Sequence, residues 1–313
     1  MKAEAGRAAS PPQDRPRKIF CVINCGVGAG AAAQREEIAV AFASRGVECA
    51  IDLCPSPRGL ARRVRAAVTA GADVVAAGGG DGTVGTVADL LAGSEVALGV
   101  LPLGTLNHFA RDVGIPLELS GAVEVICRGA TRRVDVGEVN GRCFINNSSL
   151  GAYPEMVRFR ERWRPRLGKW PALLLGGLAV LFRFPVLKLG VEVGGERRRR
   201  YLSLLFVGNN AYQLEWPALG TRARLDEGCL SLWLLGGTSR LRLLRSVFRL
   251  LRGRGWLAPE VEASRPESLT VTSRRRLLRV AVDGEVLRLR PPLNYRIRPL
   301  ALRVCVPGEK GAG

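Results

Sequence analysis

Residues 73–83 read DVVAAGGGDGT, an apolar segment followed directly by a glycine-rich turn. The apolar part, Asp73–Ala77, predicts a buried β-strand, and a helix is predicted over Val84–Ala92. Four glycines let the backbone of the turn approach a polyphosphate closely: Gly78, Gly79, Gly80 and Gly82. Asp81 would repel phosphate unless Mg²⁺ or a proton-transfer role compensates. A carboxylate inside this turn, which runs through Thr83, therefore favours nucleotide binding over an ordinary strand-to-helix connection.

The same alternation of strand and helix surrounds this turn on both sides. Further strands are predicted over Lys18–Asn24, Val47–Leu53 and Val96–Leu101. Further helices are predicted over Ala31–Ser44, Pro57–Ala70 and Leu106–Val113. Repeated strand–helix pairs with short, glycine-containing connections predict a doubly wound α/β domain with a parallel sheet. The ligand site of such a domain lies at the carboxyl ends of its strands.

A second polar turn follows the next predicted strand, within Leu98–Pro116, which reads LGVLPLGTLNHFARDVGIP. Gly104 allows a tight turn, and Thr105 and Asn107 stand at the predicted helix start. Neighbouring parallel strands end at the same edge of a sheet, so this hydroxyl and this amide are expected beside the first turn. His108, the one histidine of the chain, is interpreted as an ordinary residue of the helix start.

The pattern changes after about Arg132, where strand-like runs separated by Asn-Gly, Gly-Gly and Asp-Gly turns replace the helical periodicity. This composition predicts an antiparallel β-sandwich, interrupted by helical insertions over about Pro154–Phe184 and Ser239–Arg252. We therefore expect an α/β domain over residues 18–131 and a β-sandwich over residues 132–292. The first 17 residues, rich in Ala, Pro and Arg, are expected to form a disordered leader.

The charge of the chain indicates an anionic partner. The 313 residues contain 47 Lys and Arg against 28 Asp and Glu, a net charge of +19. Ser239–Arg254 predicts a basic amphipathic helix, and Arg158–Lys169 carries arginines beside Trp163 and Trp170, so an anionic membrane surface is the expected partner. Nucleic acid is disfavoured, because aromatic residues are only 6% and no nucleic-acid-binding motif is present.

The eight cysteines and the apolar segments bear on the cellular compartment. The cysteines form no CxxC pair and no zinc spacing, which favours reduced, structural thiols in the cytoplasm. The longest apolar run, Pro171–Phe182, is shorter than the roughly 20 residues of a membrane span. The expected location is the cytoplasm, with peripheral association at the inner face of the membrane. The oligomeric state is not encoded in any pattern of the sequence.

The two turns together resemble those of the bacterial diacylglycerol-kinase-like lipid kinases, a family related to sphingosine kinases. The resemblance continues through Val134–Gly151 (VDVGEVNGRCFINNSSLG), Leu225–Leu235 (LDEGCLSLWLL) and Val280–Val286 (VAVDGEV). It implies ATP- and Mg²⁺-dependent phosphorylation of a lipid with a free hydroxyl, such as a diacylglycerol. It also implies a lipid site between the two domains and a return of residues 293–306 to the first domain.

The resemblance assigns roles residue by residue. The nucleotide would be bound by Gly80–Thr83 and by Thr105, while Asp81 would hold Mg²⁺ or orient the acceptor. The proton acceptor would be Glu285, with Asp283 beside it as a second carboxylate, although some relatives assign this base to the position of Asp81. A second, usually structural, magnesium site would use Glu227 or Asp226, with Arg224 and Cys229 contributing backbone carbonyls. Asp283-Gly284 is equally the favoured pair of a type I′ hairpin turn.

Several positions depart from the family pattern and leave alternatives open. The serine usual after the first strand is missing at Val27, and the Asn-Glu pair usual after the nucleotide turn is Gly85-Thr86. The metal-binding aspartate is Glu227. A catalytically weak lipid-binding regulatory relative is therefore one alternative. Another is a kinase of a soluble substrate, since NAD kinase and phosphofructokinase-like enzymes share GGDG turns. The PLGTLNHFAR segment and the sandwich-like second half argue against the latter.

Overall fold

The computed structural model of the chain describes residues 17–24, 29–168, 171, 175, 186–213, 221–236 and 261–308. These residues form two compact units, one extending to Val134 and resuming at Leu300, the other spanning Asp135–Pro299. Four sequence interpretations lie wholly or mainly outside the described residues: the leader before Arg17, the missing serine at Val27, the apolar run Pro171–Phe182 and the basic segment Ser239–Arg254.

The first unit is built on a parallel sheet with strand order β2-β1-β3-β4. Its strands are β1 (Ile19–Ile23), β2 (Cys49–Leu53), β3 (Val74–Gly79) and β4 (Ala97–Pro102). Every residue of β3 and β4 is buried, as expected of central parallel strands covered on both faces. The doubly wound parallel fold expected from the sequence is confirmed.

Five helices belong to this unit, of which the first three connect the strands and the last two follow β4. They are α1 (Ala29–Ala43), α2 (Pro57–Thr69), α3 (Asp81–Leu91), α4 (His108–Asp112) and α5 (Leu119–Arg128). Ser56 caps α2, since its Oγ accepts a hydrogen bond from the Gly59 N–H at 3.2 Å. Helix α3 begins at Asp81, three residues before the predicted start. The Asp-Gly-Thr part of the nucleotide turn is therefore the first turn of a helix rather than part of a loop.

The second unit is a largely antiparallel β domain, as expected. Its elements are β5 (Thr131–Val139), β6 (Arg142–Phe144), β7 (Asn147–Gly151), α6 (Ala152–Leu167), β8 (Leu187–Val193), β9 (Glu196–Asn209), β10 (Leu230–Gly236), β11 (Val261–Ser264), β12 (Ser268–Thr272), β13 (Leu278–Val282), β14 (Glu285–Leu289) and β15 (Leu293–Cys305). Residues of alternate strand positions form its apolar core, for example Leu189, Val191 and Val271. Burial of these side chains on one face fixes the register of the strands.

Strand β15 contributes residues to both units. Its first part pairs with β12 in antiparallel fashion, with Leu293 opposite Val271. Its last part belongs to the first unit, where Val304 pairs in parallel with Leu98 of β4. In the described parts of the chain the cysteines are free thiols, and none of the helices has the length and apolar character required to cross a membrane.

Candidate active site

The glycine-rich turn stands between the end of β3 and the first turn of α3. A Cβ atom at Gly79 would lie 2.7 Å from both Cβ and Oγ1 of Thr83, so the close packing of turn and helix requires glycine there. Thr83 is buried, and its hydroxyl accepts a hydrogen bond from Asn24 Nδ2 at 2.9 Å. Thr83 therefore connects the turn to the end of β1, where Asn24 also donates its N–H to the Gly78 carbonyl at 2.9 Å.

The second turn, after β4, is held by a single side chain. Asn107 has a left-handed backbone conformation, with φ 49° and ψ 47°. Its Nδ2 donates to the carbonyl oxygens of Pro102 and Gly104, both at 3.0 Å, and its Oδ1 accepts from the Gly104 N–H at 3.1 Å. The amide predicted to face a phosphate is thus engaged inside its own turn. Thr105, in contrast, is exposed.

The two turns touch each other, as their positions after adjacent parallel strands predict. Residues Gly78 and Gly79 of β3 are in register with Leu101 and Pro102 of β4. Beyond the strands, a Cβ atom at Gly104 would overlap the Cα of Gly80, so the two backbones can meet only because residue 104 is glycine. The contact brings the two predicted nucleotide-binding turns into one site.

Asp81 reinforces the contact between the turns. Its Oδ1 accepts a hydrogen bond from the N–H of Phe109, in the first turn of α4, at 3.2 Å. Among the described residues, Oδ2 makes no hydrogen bond. The donor set fits a magnesium nucleotide, because a carboxylate oxygen is a hard ligand and the N–H groups of Asp81 and Gly82, which begin α3, lack intrahelical acceptors. Asp81 can therefore serve the site both as a clamp on α4 and as a ligand.

The departures at Gly85 and Thr86 lie within α3 rather than in the turn. Gly85 is buried, and Thr86 uses its hydroxyl within the helix, donating to the Gly82 carbonyl at 2.8 Å. The polar pair expected of the family at these positions is thus absent.

In the second unit, Asp283 and Gly284 form the tight turn between β13 and β14, with φ values of 46° and 86°. Both angles are positive, as a type I′ turn requires. The Asp283 carboxylate accepts hydrogen bonds from the N–H groups of Ile145, Asn146 and Asn147 at 2.8–3.1 Å. It thereby fastens the hairpin to the β6–β7 connection. Glu285, two residues later, is exposed at the start of β14.

Burial raises the pKa of Asp283 to about 6, although the three N–H groups and the Arg222 guanidinium favour its ionised form. Arg222 is itself buried. It donates to the carbonyls of Ile145 and Asn209, at 2.5 Å and 3.2 Å, and to Asn146 Oδ1 at 2.9 Å. Arginine is rarely buried without partners, and this one links the β6–β7 connection to the end of β9.

Sequence reasoning missed this buried polar network. Its other members are Asp135 in β5, Asn209 at the end of β9, and Asn210 directly after that strand. Asn209 Nδ2 donates to the carbonyls of Asp135 and Ile145 at 2.9 Å and 3.1 Å. A signal was available, because the pairs Asn146-Asn147 and Asn209-Asn210 each follow an apolar strand. Arg222 had no such signal among the many arginines of the chain.

The turn predicted to hold a second magnesium ion follows Arg222. Its two carboxylates already have donors, since Asp226 Oδ1 accepts from Arg224 Nε and Glu227 Oε2 from the Ala211 N–H, both at 3.0 Å. The Cys229 carbonyl accepts the Asn210 N–H at 3.0 Å. No three His, Cys, Asp or Glu side chains cluster as a metal site within the described parts of the chain. The second magnesium site stays a prediction that these contacts do not support.

The predicted site residues thus belong to two different units. The glycine turns, Asp81, Thr105 and Asn107 belong to the first unit, and Asp283, Glu285 and the turn Arg224–Cys229 belong to the second. A glycine turn at the carboxyl ends of a parallel sheet is typical of α/β proteins that bind phosphorylated ligands.

Comparisons with known proteins identify the family. Residues 18–139 match the diacylglycerol kinase catalytic domain, and residues 160–306 match the YegS C-terminal domain, described as NAD kinase beta sandwich-like. A Pseudomonas aeruginosa protein named "Probable lipid kinase YegS-like" is 31% identical over 283 residues, which cover 89% of this chain and 92% of that protein. The chain therefore belongs to the diacylglycerol kinase and YegS-like lipid kinase family, whose members use ATP.

Two further proteins are similar to this chain. A diacylglycerol kinase of Staphylococcus aureus is 29% identical over 216 residues, 68% of each chain. The crystal structure of a diacylglycerol kinase from Bacillus anthracis matches 93% of this chain and 97% of its own with a TM-score of 0.70. At 19% identity, that structure supports the fold alone. Because the second domain is described as NAD kinase-like, its sandwich does not by itself separate lipid kinases from kinases of soluble substrates.

Proposed function

We propose that this protein is an ATP- and Mg²⁺-dependent lipid kinase that transfers the γ-phosphate of ATP to the free hydroxyl of a lipid. The observation that carries the proposal is the contact of two glycine turns at the carboxyl ends of β3 and β4, in a chain related to lipid kinases over most of its length. A peripheral position at the cytoplasmic face of the membrane belongs to the same proposal.

The nucleotide would be held by the first unit. The backbone of Gly78–Gly80 and Gly82, with the N–H groups that begin α3, suits the ATP phosphates, and the exposed hydroxyl of Thr105 stands on the adjoining turn. Mg²⁺, bound with ATP through Asp81, would neutralise charge that develops on the phosphates. Thr83 and Asn107 would not contact the nucleotide themselves, since their side chains hold the two turns in place.

Glu285 is assigned as the group that accepts the proton of the lipid hydroxyl. Asp283 is the less suitable base, because its carboxylate accepts three backbone N–H bonds and holds the hairpin. In the transfer, the hydroxyl oxygen bonds to the γ-phosphorus as the bond to the bridging oxygen of ADP breaks, and the proton passes to the carboxylate. A lipid hydroxyl is a weak acid, so Glu285 accepts this proton mainly in the transition state. Asp81 is the alternative base.

Two conservative substitutions test the assignment. Asp81→Asn retains an oxygen for the Phe109 N–H, and Glu285→Gln changes an exposed residue, so both variants should fold normally. Each is expected to lose at least about a hundredfold of kcat, the usual contribution of general acid–base catalysis. Glu267→Gln, at another exposed glutamate of the second unit, is the matched control and should keep full activity.

The assay incubates radiolabelled ATP with diacylglycerol, phosphatidylglycerol, a sphingoid base or a polyprenol, and identifies the product by mass spectrometry of the intact lipid. Near-normal phosphorylation by both variants would refute the roles of Asp81 and Glu285. Transfer to NAD and to none of the lipids would instead identify a kinase of a soluble substrate. Lipid binding without phosphoryl transfer would identify a regulatory relative.

A further inference from the structure

The structure brings together two arginine runs that are far apart in the sequence. Arg197–Arg200 lies in the first half of β9, and Arg274–Arg276 follows β12. Both strands pair with β8: Gly190 of β8 is opposite Arg199 on one side and Thr272 on the other. A hydrogen bond of 2.9 Å from the Arg197 guanidinium to Thr272 Oγ1 connects the first run to the end of β12, two residues before the second run.

The arginines of β9 point alternately to opposite faces of the sheet. Arg198 and Arg200 are opposite Val191 and Leu189 of the core, and they form ion pairs with Glu196 and Glu262, both at 2.8 Å. Arg197 and Arg199 lie on the outer face, together with Lys188 and Tyr201. We call Lys188, Arg197, Arg199, Tyr201 and the adjoining Arg274–Arg276 the basic face.

The basic face is exposed, and its charges are largely unneutralised. Within the described residues, its lysine and arginines form no ion pair, and Glu192 is the one acid at the outer positions of β8, β9 and β12. Apolar groups accompany the charges. The Tyr201 ring is 55% exposed, with the Lys188 ammonium 5.2 Å from its centroid, and Leu277, directly after the second run, is 44% exposed.

We propose that the basic face docks this protein onto an anionic phospholipid bilayer. Clustered arginines are attracted to the negative surface potential of such a bilayer, and an exposed tyrosine and leucine suit its headgroup region. Nucleic acid is the less suitable partner, because single-stranded nucleic acid is bound by several stacking aromatic side chains and Tyr201 is the one aromatic side chain of the face. The proposal rests on the proposed function, since a lipid kinase must reach a substrate that lies in a membrane.

The test compares two double variants of the full-length protein that change its net charge equally. Arg197→Gln with Arg199→Gln neutralises two arginines of the basic face, and Arg198→Gln with Arg200→Gln neutralises two on the opposite side of the same strand. Co-sedimentation is measured with vesicles of phosphatidylcholine alone and with vesicles in which about a third of the lipid is phosphatidylglycerol. Circular dichroism melts confirm that both variants fold.

The outer pair is expected to bind the phosphatidylglycerol vesicles about thirtyfold more weakly, roughly fivefold for each arginine at an anionic surface. The inner pair should stay within about threefold of the wild type, because its side chains face away from the bilayer. Equal losses in both pairs would show that only net charge matters and would overturn the proposal. Unchanged binding by the outer pair, or binding to duplex DNA but not to vesicles, would also overturn it.

Vesicle binding requires no ATP, so its outcome is separable from that of the proposed function. In neutral detergent micelles that present the lipid without a charged surface, the outer pair should phosphorylate lipid at the wild-type rate. If the wild type binds anionic vesicles through the basic face but phosphorylates no lipid, the proposed function fails and the docking surface stands. If the wild type phosphorylates lipid while the outer pair still binds vesicles normally, the docking surface fails.

Discussion

The contact between the two glycine turns can be tested by adding one methyl group, with Gly104→Ala. The new Cβ would overlap the Cα of Gly80, and it would stand 2.7 Å from Asn107 Oδ1 and 3.2 Å from the Gly80 nitrogen. Gly80 lies between β3 and α3, and Asn107 is held by three hydrogen bonds. The Gly80 atoms belong to the backbone and the Asn107 side chain is fixed by its hydrogen bonds, so the turns must separate or remain strained.

The strain has an expected size. Overpacking a close contact by one carbon atom typically costs about 1–3 kcal/mol. If the turns stay in place, this energy is lost from the free energy of unfolding. If they move apart, it is lost from ATP binding, where 1.4 kcal/mol corresponds to about tenfold in affinity. The two losses together should amount to about 1–3 kcal/mol.

Both quantities can be measured on the same preparation, by urea unfolding followed with circular dichroism and by isothermal titration with ATP and Mg²⁺. Gly30→Ala is the matched control, because a Cβ at Gly30 in the first turn of α1 would meet nothing within 4 Å. That substitution should leave ATP affinity unchanged and leave stability equal or slightly raised, by less than about 1 kcal/mol.

The result that would refute the reasoning is a Gly104→Ala protein that equals the wild type in both measurements. The turns would then have room for a side chain, and their contact would not be a close approach of two backbones. A loss of stability with full ATP affinity would keep the steric argument but separate it from nucleotide binding.

Two predictions concern the buried network of the second unit. Because burial raises the pKa of Asp283 to about 6, the folded chain binds this proton more tightly than the unfolded chain, and unfolding free energy falls as pH rises from about 4 to about 6. The variant Asp283→Asn cannot titrate in this range and serves as the reference. Compared with it, the wild type should lose up to about 3 kcal/mol of unfolding free energy, measured with urea, as the pH rises. A rise in the wild type's unfolding free energy relative to the variant would contradict this. Arg222→Met removes a charged donor from three buried oxygens and should cost on the order of 3 kcal/mol or more, whereas Arg288→Met, at an exposed arginine of β14, should cost less than about 0.5 kcal/mol. Equal unfolding midpoints for the two methionine variants would show that the Arg222 hydrogen bonds do not stabilise the fold.

Much of the fold was predictable because it depends on local patterns. The apolar runs that end at Gly79 and Pro102 are buried strands, and the Asp283-Gly284 pair forms the expected hairpin turn. Errors arose where neighbours in space decide the structure. Strand β9 includes the charged run Arg197–Arg200, which has no apolar alternation of its own, because pairing with β8 extends the strand back to Glu196. Helix α5, from Leu119 to Arg128, and strand β11 were not predicted.

The sequence by itself determined the chemistry that the chain can carry. The glycines, Asp81 and the carboxylates near residue 284 are visible as residue types at fixed spacing, and spacing along a strand-turn-helix unit is a local property. Adjacency of the two glycine turns also followed, since parallel strands end at one edge of their sheet. These features, with the resemblance of the motifs, were enough to identify the family.

Only the tertiary structure decided which polar groups are engaged and which remain available. Asn107 and Asp283 resemble ligand-binding residues in the sequence, yet their side chains hold turns together, because buried N–H and C=O groups need partners. Likewise, the arginine runs at 197–200 and 274–276 are far apart in the sequence. Pairing of β9 and β12 with the same strand, β8, makes them one surface, and that pairing is set by burial of the opposite face rather than by the arginines.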